Sequence, residues 1–101
     1  MSITIAVSNE IASHLDNLSF GEAGDINEKL RNLIVSEYQR RLARYRLTDR
    51  QMTQKYQMSY ETFDQQQMTR QHGYTWAVET DVMAWETAID GIRPIEQQLP
   101  N

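Results

Sequence analysis

The side chains of this chain that could carry acid–base or metal chemistry are few and scattered. His14 and His72 are its two histidines, Glu79 and Asp81 are neighbouring carboxylates, and cysteine is absent. General acid–base catalysis needs groups within hydrogen-bond reach of one substrate, and zinc needs several nitrogen or sulfur ligands close together. The sequence therefore predicts no catalytic residues, no metal site and no cofactor site, and we expect a protein that is not an enzyme.

The composition indicates a small protein that depends on a partner. The chain has 101 residues, of which 40% are hydrophobic, so it can bury only a limited core. Its wholly apolar runs, such as Leu33–Val35, are far shorter than the ~20 residues of a membrane-spanning helix. The first residues do not have the pattern of a secretion signal, so we expect none, and the lack of cysteine fits a reducing compartment. We therefore expect a cytoplasmic, oligomeric protein with no membrane contact.

The first half of the chain has the pattern of one strand followed by two helices. Ile3, Ile5 and Val7 alternate with small or polar residues, which is the period of a strand with one buried face. A first helix is predicted with Asn9 as its cap, and the acceptor-x-x-Glu spacing of Asp25–Glu28 predicts a capped second helix. Four arginines are predicted to stabilise the C-terminus of that second helix: Arg40, Arg41, Arg44 and Arg46. Because a lone strand cannot satisfy its own backbone, we expect it to pair with the same strand of a second copy.

Residues 2–46 resemble the ribbon-helix-helix family in this order of elements. Members of the family are dimers whose paired strands enter the DNA major groove. The resemblance implies DNA contacts from Ser2, Thr4 and Arg31. The outward face of the strand lacks the long side chains that read base edges, and Asp25 places negative charge where phosphate would bind. The sequence is compatible with two possibilities: a homodimer that does not bind DNA, and a homodimer that binds operator DNA.

The second half of the chain is acidic and aromatic. Residues 51–101 hold three Lys/Arg and seven Asp/Glu, a difference that accounts for the net charge of -4. They also hold six of the nine aromatic residues. The sequence predicts a helix break before Thr48, short helices from Thr48 and from Ser59, an extended or irregular Tyr74–Glu79, and a last helix from about Thr80 that Pro94 stops. The rings are too widely spaced to predict a closed core. Aromatic side chains among acids are typical of a surface for a basic partner. Packing of the rings against the second helix is the alternative.

Together these patterns predict a mainly α-helical protein with one short N-terminal β-strand. Residues 1–46 would form the ribbon-helix-helix-like dimer, and residues 47–101 would form an extended helical arm.

Two segments of the arm resemble segments of small prokaryotic antitoxins. Lys55–Phe63 is similar to their K-Y-G-M-S-x-E-E-F segment, with Gln57 in place of the glycine. Tyr74–Glu86 is similar to the x-E-x-D-x-x-x-W-E segment that often follows it. The resemblance is to antitoxins of the TumA type, which are encoded beside TumE-type toxins, and it covers about residues 47–93. It implies a type II antitoxin whose N-terminal module dimerises or binds its operator and whose C-terminal arm wraps a toxin.

The resemblance also implies a basic, ribonuclease-like toxin, because an acidic arm complements a cationic RNA-binding surface. The expected toxin contacts combine rings and apolar side chains with carboxylates: Tyr56, Met58, Phe63, Trp76, Glu79, Asp81, Trp85 and Glu86. Such an antitoxin would also regulate its own operon if it binds DNA. The alternatives are a ribbon-helix-helix transcriptional regulator that acts mainly on operator DNA, and a non-catalytic structural or oligomerisation subunit.

Overall fold

Five α-helices make up most of the chain that the computed structural model describes, which is residues 2–18 and 25–99. In chain order they are α1 (Asn9–Leu18), α2 (Ile26–Tyr56), α3 (Tyr60–Gln65), α4 (Met68–Gln71) and α5 (Trp76–Gln98). The helices belong to two units, Met1–Glu37 and Tyr38–Asn101, so α2 begins in the first unit and ends in the second.

The N-terminal segment corrects the predicted fold class. Residues 2–8 are neither helix nor strand, and no β-strand occurs in residues 2–18 and 25–99. Ile3 and Ile5 are 79% and 72% exposed, and Val7 is half-buried. The ribbon-helix-helix prediction is therefore wrong. Alternating apolar residues meet the period of a strand, but a strand also needs a hydrogen-bonded neighbour, and the described chain supplies none.

In the first unit, each helix begins at a side-chain cap. Ser8 Oγ accepts a hydrogen bond from the N–H group three residues later at 3.2 Å, and Asp25 Oδ1 does the same at 2.9 Å. These bonds satisfy N–H groups that have no partner inside the helix. Leu15 is buried, and Lys29 of α2 forms an ion pair with Asp16 of α1. The cap predicted at Asp25 is confirmed, whereas α1 is capped by Ser8 and not by Asn9.

α2 is one helix of 31 residues, although the sequence predicts a break before Thr48. The Thr48 hydroxyl instead donates to the carbonyl of the residue four earlier at 3.2 Å, a bond available inside a helix. The arginines that were predicted to stabilise a helix C-terminus therefore lie along the middle of α2, where the helix dipole gives them no advantage. These residues are Arg40, Arg41, Arg44 and Arg46.

α2 ends at a left-handed residue that is not glycine. Gln57 has φ of 56°, and its Nε2 atom donates to the carbonyl of Gln54 at 2.6 Å. A side chain with a β-carbon is disfavoured in this conformation by roughly 1–2 kcal/mol, whereas glycine adopts it freely. The local hydrogen bond offsets part of this strain.

Replacing Gln57 with glycine is expected to raise the free energy of unfolding by about 0.5 kcal/mol. Relief of the left-handed strain outweighs the lost side-chain bond and the greater freedom of glycine in the unfolded chain. Urea denaturation followed by circular dichroism measures the change. Gln57→Ala is the matched control, because alanine loses the hydrogen bond but keeps the strain. A glycine variant less stable than the alanine variant would contradict the expectation.

The second unit packs α5 closely against the C-terminal part of α2. A β-carbon at Gly91 would lie 2.8 Å from Cδ2 of Tyr45, so a larger residue would force the Tyr45 ring to move or the two helices to separate. Ser59 caps α3 by accepting the N–H bond of Thr62 at 3.2 Å, as its position in the sequence predicts. The buried apolar residues of this unit are Leu42, Phe63, Trp85, Ala88 and Ile95.

α5 is longer than the sequence predicts at both ends. It begins at Trp76, after the cap residue Thr75, and it continues through Pro94 to Gln98. Proline lacks the N–H group that a helix interior uses, so its ring was expected to stop the helix. Burial of Ile95 favours the extra turn. Across the described residues, no helix combines the length and the apolar character needed to cross a membrane.

Candidate protein-binding surface

Three aromatic side chains from α2 and α3 pack around Trp85 of α5. Trp85 and Phe63 are 0% and 2% exposed. The centroid of the Trp85 ring lies 5.9 Å from that of Tyr56, 5.4 Å from that of Tyr60 and 5.4 Å from that of Phe63. Each such pair contributes roughly 0.5–1.5 kcal/mol beyond the burial of area. This aromatic cluster is the core that holds α5 in position.

Two aspartates connect α2 to α5 at the edge of the aromatic cluster. Asp49 Oδ1 accepts a hydrogen bond from Nε1 of Trp85 at 2.9 Å. Asp81 Oδ2 accepts one from the Tyr56 hydroxyl at 2.6 Å and another from Lys55 Nζ at 2.5 Å. In the described chain, every buried side-chain nitrogen or oxygen has a hydrogen-bond partner. The aromatic cluster is therefore a complete core, because its rings pack on one another and its buried polar atoms are hydrogen-bonded.

Burial and hydrogen bonding shift the pKa values of Tyr56 and Asp81 in opposite directions. Burial, then the hydrogen bond to Asp81 and its charge, raises the pKa of Tyr56 from 10.0 to about 12. The hydrogen bonds from Lys55 and then Tyr56 hold the pKa of Asp81 below its ordinary 3.8, against the effect of burial. Asp81 therefore adds stability that is present above pH 3.8 and is lost as the pH falls through its lowered pKa.

The folded state is expected to lose stability as the pH rises from 10 to about 12. Over this range Tyr56 stays protonated in the folded chain and ionises in the unfolded chain, so unfolding becomes more favourable. The shift corresponds to at most roughly 2–3 kcal/mol, reduced by the solvent that reaches the ring. Urea denaturation at neutral and alkaline pH should show a weaker alkaline loss in Tyr56→Phe. Tyr74→Phe, at an exposed ring, is the control, and equal losses in both variants would contradict the assignment.

A groove beside the aromatic cluster has an aromatic and apolar lining. Its volume is about 440 Å³, and it is termed here the Trp76 groove; its lining residues are Thr69, Tyr74, Trp76, Glu79, Val82 and Met83. Trp76, Met83 and Tyr74 are 79%, 65% and 59% exposed. Trp76, Glu79 and Met83 follow one another at intervals of three and four residues, so they lie on one face of α5. Most of this face of α5 remains exposed in the folded unit.

The structure divides the predicted toxin contacts between the core and the surface. Those that are buried or half-buried are Tyr56, Met58, Phe63, Glu79, Asp81 and Trp85. Glu86 is exposed but does not line the groove. Trp76 and Glu79 both line it, so they are the two predicted contacts that the fold brings together at one surface.

The residues predicted to contact DNA lie in the first unit. Ser2 and Thr4 are exposed in the extended segment before α1, and Arg31 is exposed on α2. No hydrogen bond or ion pair among the described residues brings these three side chains together. The paired strands that would have presented them to a DNA groove are not part of the described fold.

Sequence reasoning missed Tyr74, Val82 and Met83 as members of the surface. The prediction placed Tyr74–Glu79 outside any helix, which hid the three-and-four spacing from Trp76 to Met83. The threonine before Trp76 is the signal that could have corrected it, because a cap at that position starts α5 four residues earlier.

No protein-family model, no curated protein and no solved structure matches this chain. Within residues 2–18 and 25–99, no group of three or more histidine, cysteine, aspartate or glutamate residues could hold a metal ion. The features of the described chain that bear on its function are therefore the Trp76 groove, the charge around it and the core beneath it.

Proposed function

We propose that this chain is the antitoxin of a type II toxin–antitoxin pair and that it neutralises a basic, ribonuclease-like toxin through the Trp76 groove. One observation carries the proposal: Trp76 is exposed beside apolar neighbours although the same unit has closed a core around Trp85. Tryptophan in such a surface is the residue type that most often dominates the energy of a protein interface. The resemblance of Lys55–Phe63 and Tyr74–Glu86 to antitoxin segments supports the same function.

The distribution of charge favours a basic partner. Residues 57–99 carry seven Asp/Glu and two Lys/Arg, whereas residues 38–56 carry one acid and six bases. Four exposed acids of α3 and α5 make no ion pair with another residue of the described chain: Glu61, Asp64, Glu86 and Asp90. Carboxylates whose charge is not neutralised by an ion pair steer a cationic protein toward this side of the unit.

The closed aromatic cluster favours a preformed surface over an arm that folds around the toxin. A segment that orders only on binding loses conformational entropy at that step, which weakens the affinity for a given contact area. In this chain Trp85 and its neighbours hold α5 before any partner arrives. The toxin then meets side chains of α5 that need little reorganisation.

Co-expression with the product of the adjoining reading frame tests this function. We expect that product to be a small basic protein that arrests growth alone and not when this chain is present. Met83→Asp should lose protection, because it places a buried charge under the partner. Ser13→Asp adds the same charge at an exposed position of α1 and should still protect. Growth arrest that this chain cannot relieve, or equal protection by both variants, would contradict the proposal.

A further inference from the structure

We propose that the Trp76 groove is a receptor for one cationic side chain, an arginine or lysine of the basic partner. The inference rests on the proposed function and adds to it the chemistry of the anchoring residue. It follows from three features of the groove: two exposed aromatic rings, one carboxylate, and an aromatic residue held in an unfavourable backbone conformation.

The rings of Tyr74 and Trp76 line the same groove, and both are largely exposed. The face of an aromatic ring attracts a cation, most strongly in tryptophan, and the attraction grows when the partner covers the site and excludes water. A guanidinium group also stacks on such rings through its planar shape. The apolar side chains of Val82 and Met83 can accommodate the aliphatic part of an arginine or lysine.

Glu79 supplies the negative charge that selects a cation over a neutral side chain. Of the six lining residues it alone is charged, and it forms no ion pair with another described residue. The groove lies at the N-terminal end of α5, whose partial positive charge opposes a cation. Glu79 is in the first turn and offsets that field. Cation binding in the groove therefore depends strongly on this carboxylate.

The conformation of Tyr74 points to binding more than to folding. Gly73 and Tyr74 have φ of 75° and 56°, two left-handed residues in succession. A left-handed glycine such as Gly73 is the usual end of a helix such as α4, and the N–H group of Tyr74 donates to the carbonyl of Thr69 at 3.0 Å. A left-handed conformation is uncommon for a residue with a bulky side chain, such as Tyr74. Because the ring stays exposed, burial does not offset the strain, and strain of this kind clusters at binding sites.

Nuclear magnetic resonance of the full chain tests the receptor directly. The indole N–H signals of Trp76 and Trp85 are assigned with Trp76→Phe and followed while acetyl-Gly-Arg-Gly-amide is added. The matched peptide carries citrulline, which has nearly the same shape as arginine but no charge. We expect the Trp76 signal to shift and saturate in the millimolar range with the arginine peptide, and the Trp85 signal to stay in place. The citrulline peptide should bind about five- to ten-fold more weakly.

Two variants separate the roles of charge and ring. Glu79→Gln should weaken binding of the arginine peptide by about five-fold. Trp76→Leu lacks the indole signal, so its binding is followed by the backbone amide signals of residues 74–83, which should no longer shift with the arginine peptide. An unchanged Trp85 indole signal reports that the core of this variant is intact. Equal binding of both peptides, or no shift with either, would overturn the cationic receptor. If the basic partner still requires Trp76 in that case, the proposed function stands and only the identity of the anchor falls.

Discussion

Replacing Trp85 with alanine is expected to lower the free energy of unfolding by about 3–5 kcal/mol, a large share of the total stability of a small domain. The substitution removes the ring on which Tyr56, Tyr60 and Phe63 pack and leaves a cavity among them. It also leaves Asp49 without the indole N–H group that it binds. We therefore expect the second unit of this variant to be largely unfolded near 37 °C.

Urea denaturation followed by circular dichroism measures this loss, and Trp76→Ala is the matched control. Both variants remove one tryptophan from α5, but Trp76 is exposed, and surface substitutions usually change stability by less than about 0.5 kcal/mol. Equal stabilities of the two alanine variants would show that Trp85 is not the centre of a closed core.

Trp76→Ala is expected to weaken binding of the basic partner by about 30-fold or more, which corresponds to roughly 2 kcal/mol at an interface hot spot. The reason is that its exposed ring offers the largest unused apolar area of the groove. Isothermal titration calorimetry with the partner measures the change.

Thr87→Ala is the control for this experiment, because Thr87 is exposed on the same helix but does not line the groove. It should bind as the unmodified chain does. Loss of affinity in both variants would indicate a general effect on α5, and unchanged affinity in Trp76→Ala would place the interface elsewhere.

Features that depend on near neighbours in the sequence were predictable. The caps at Asp25 and Ser59 are decided by an acceptor and an N–H group three residues later, so the pattern alone identifies them. The mainly helical character of residues 25–99 follows from the same kind of local signal. The predicted break in α2 and the predicted stop at Pro94 were wrong because both depend on local signals that the packing of the folded chain can override, even one as strong as proline.

Features that depend on distant neighbours were not predictable from the sequence. The alternation of Ile3, Ile5 and Val7 fits a strand, but it does not show whether a second strand is present to pair with it. Nor could the sequence tell which tryptophan is buried. Trp85 faces Asp49 across 36 positions of the chain, and no local pattern reports that contact. The residues predicted to bind the toxin consequently included both core residues and surface residues.

Hydrogen exchange of the backbone amides, in the free chain and in its complex with the basic partner, distinguishes a preformed surface from an arm that folds on binding. We expect amides of α5 near Trp85 to be protected already in the free chain, because the aromatic cluster is closed. Binding should then add protection mainly between residues 69 and 83. Rapid exchange throughout α3 and α5 in the free chain, followed by protection along their whole length on binding, would contradict a preformed surface.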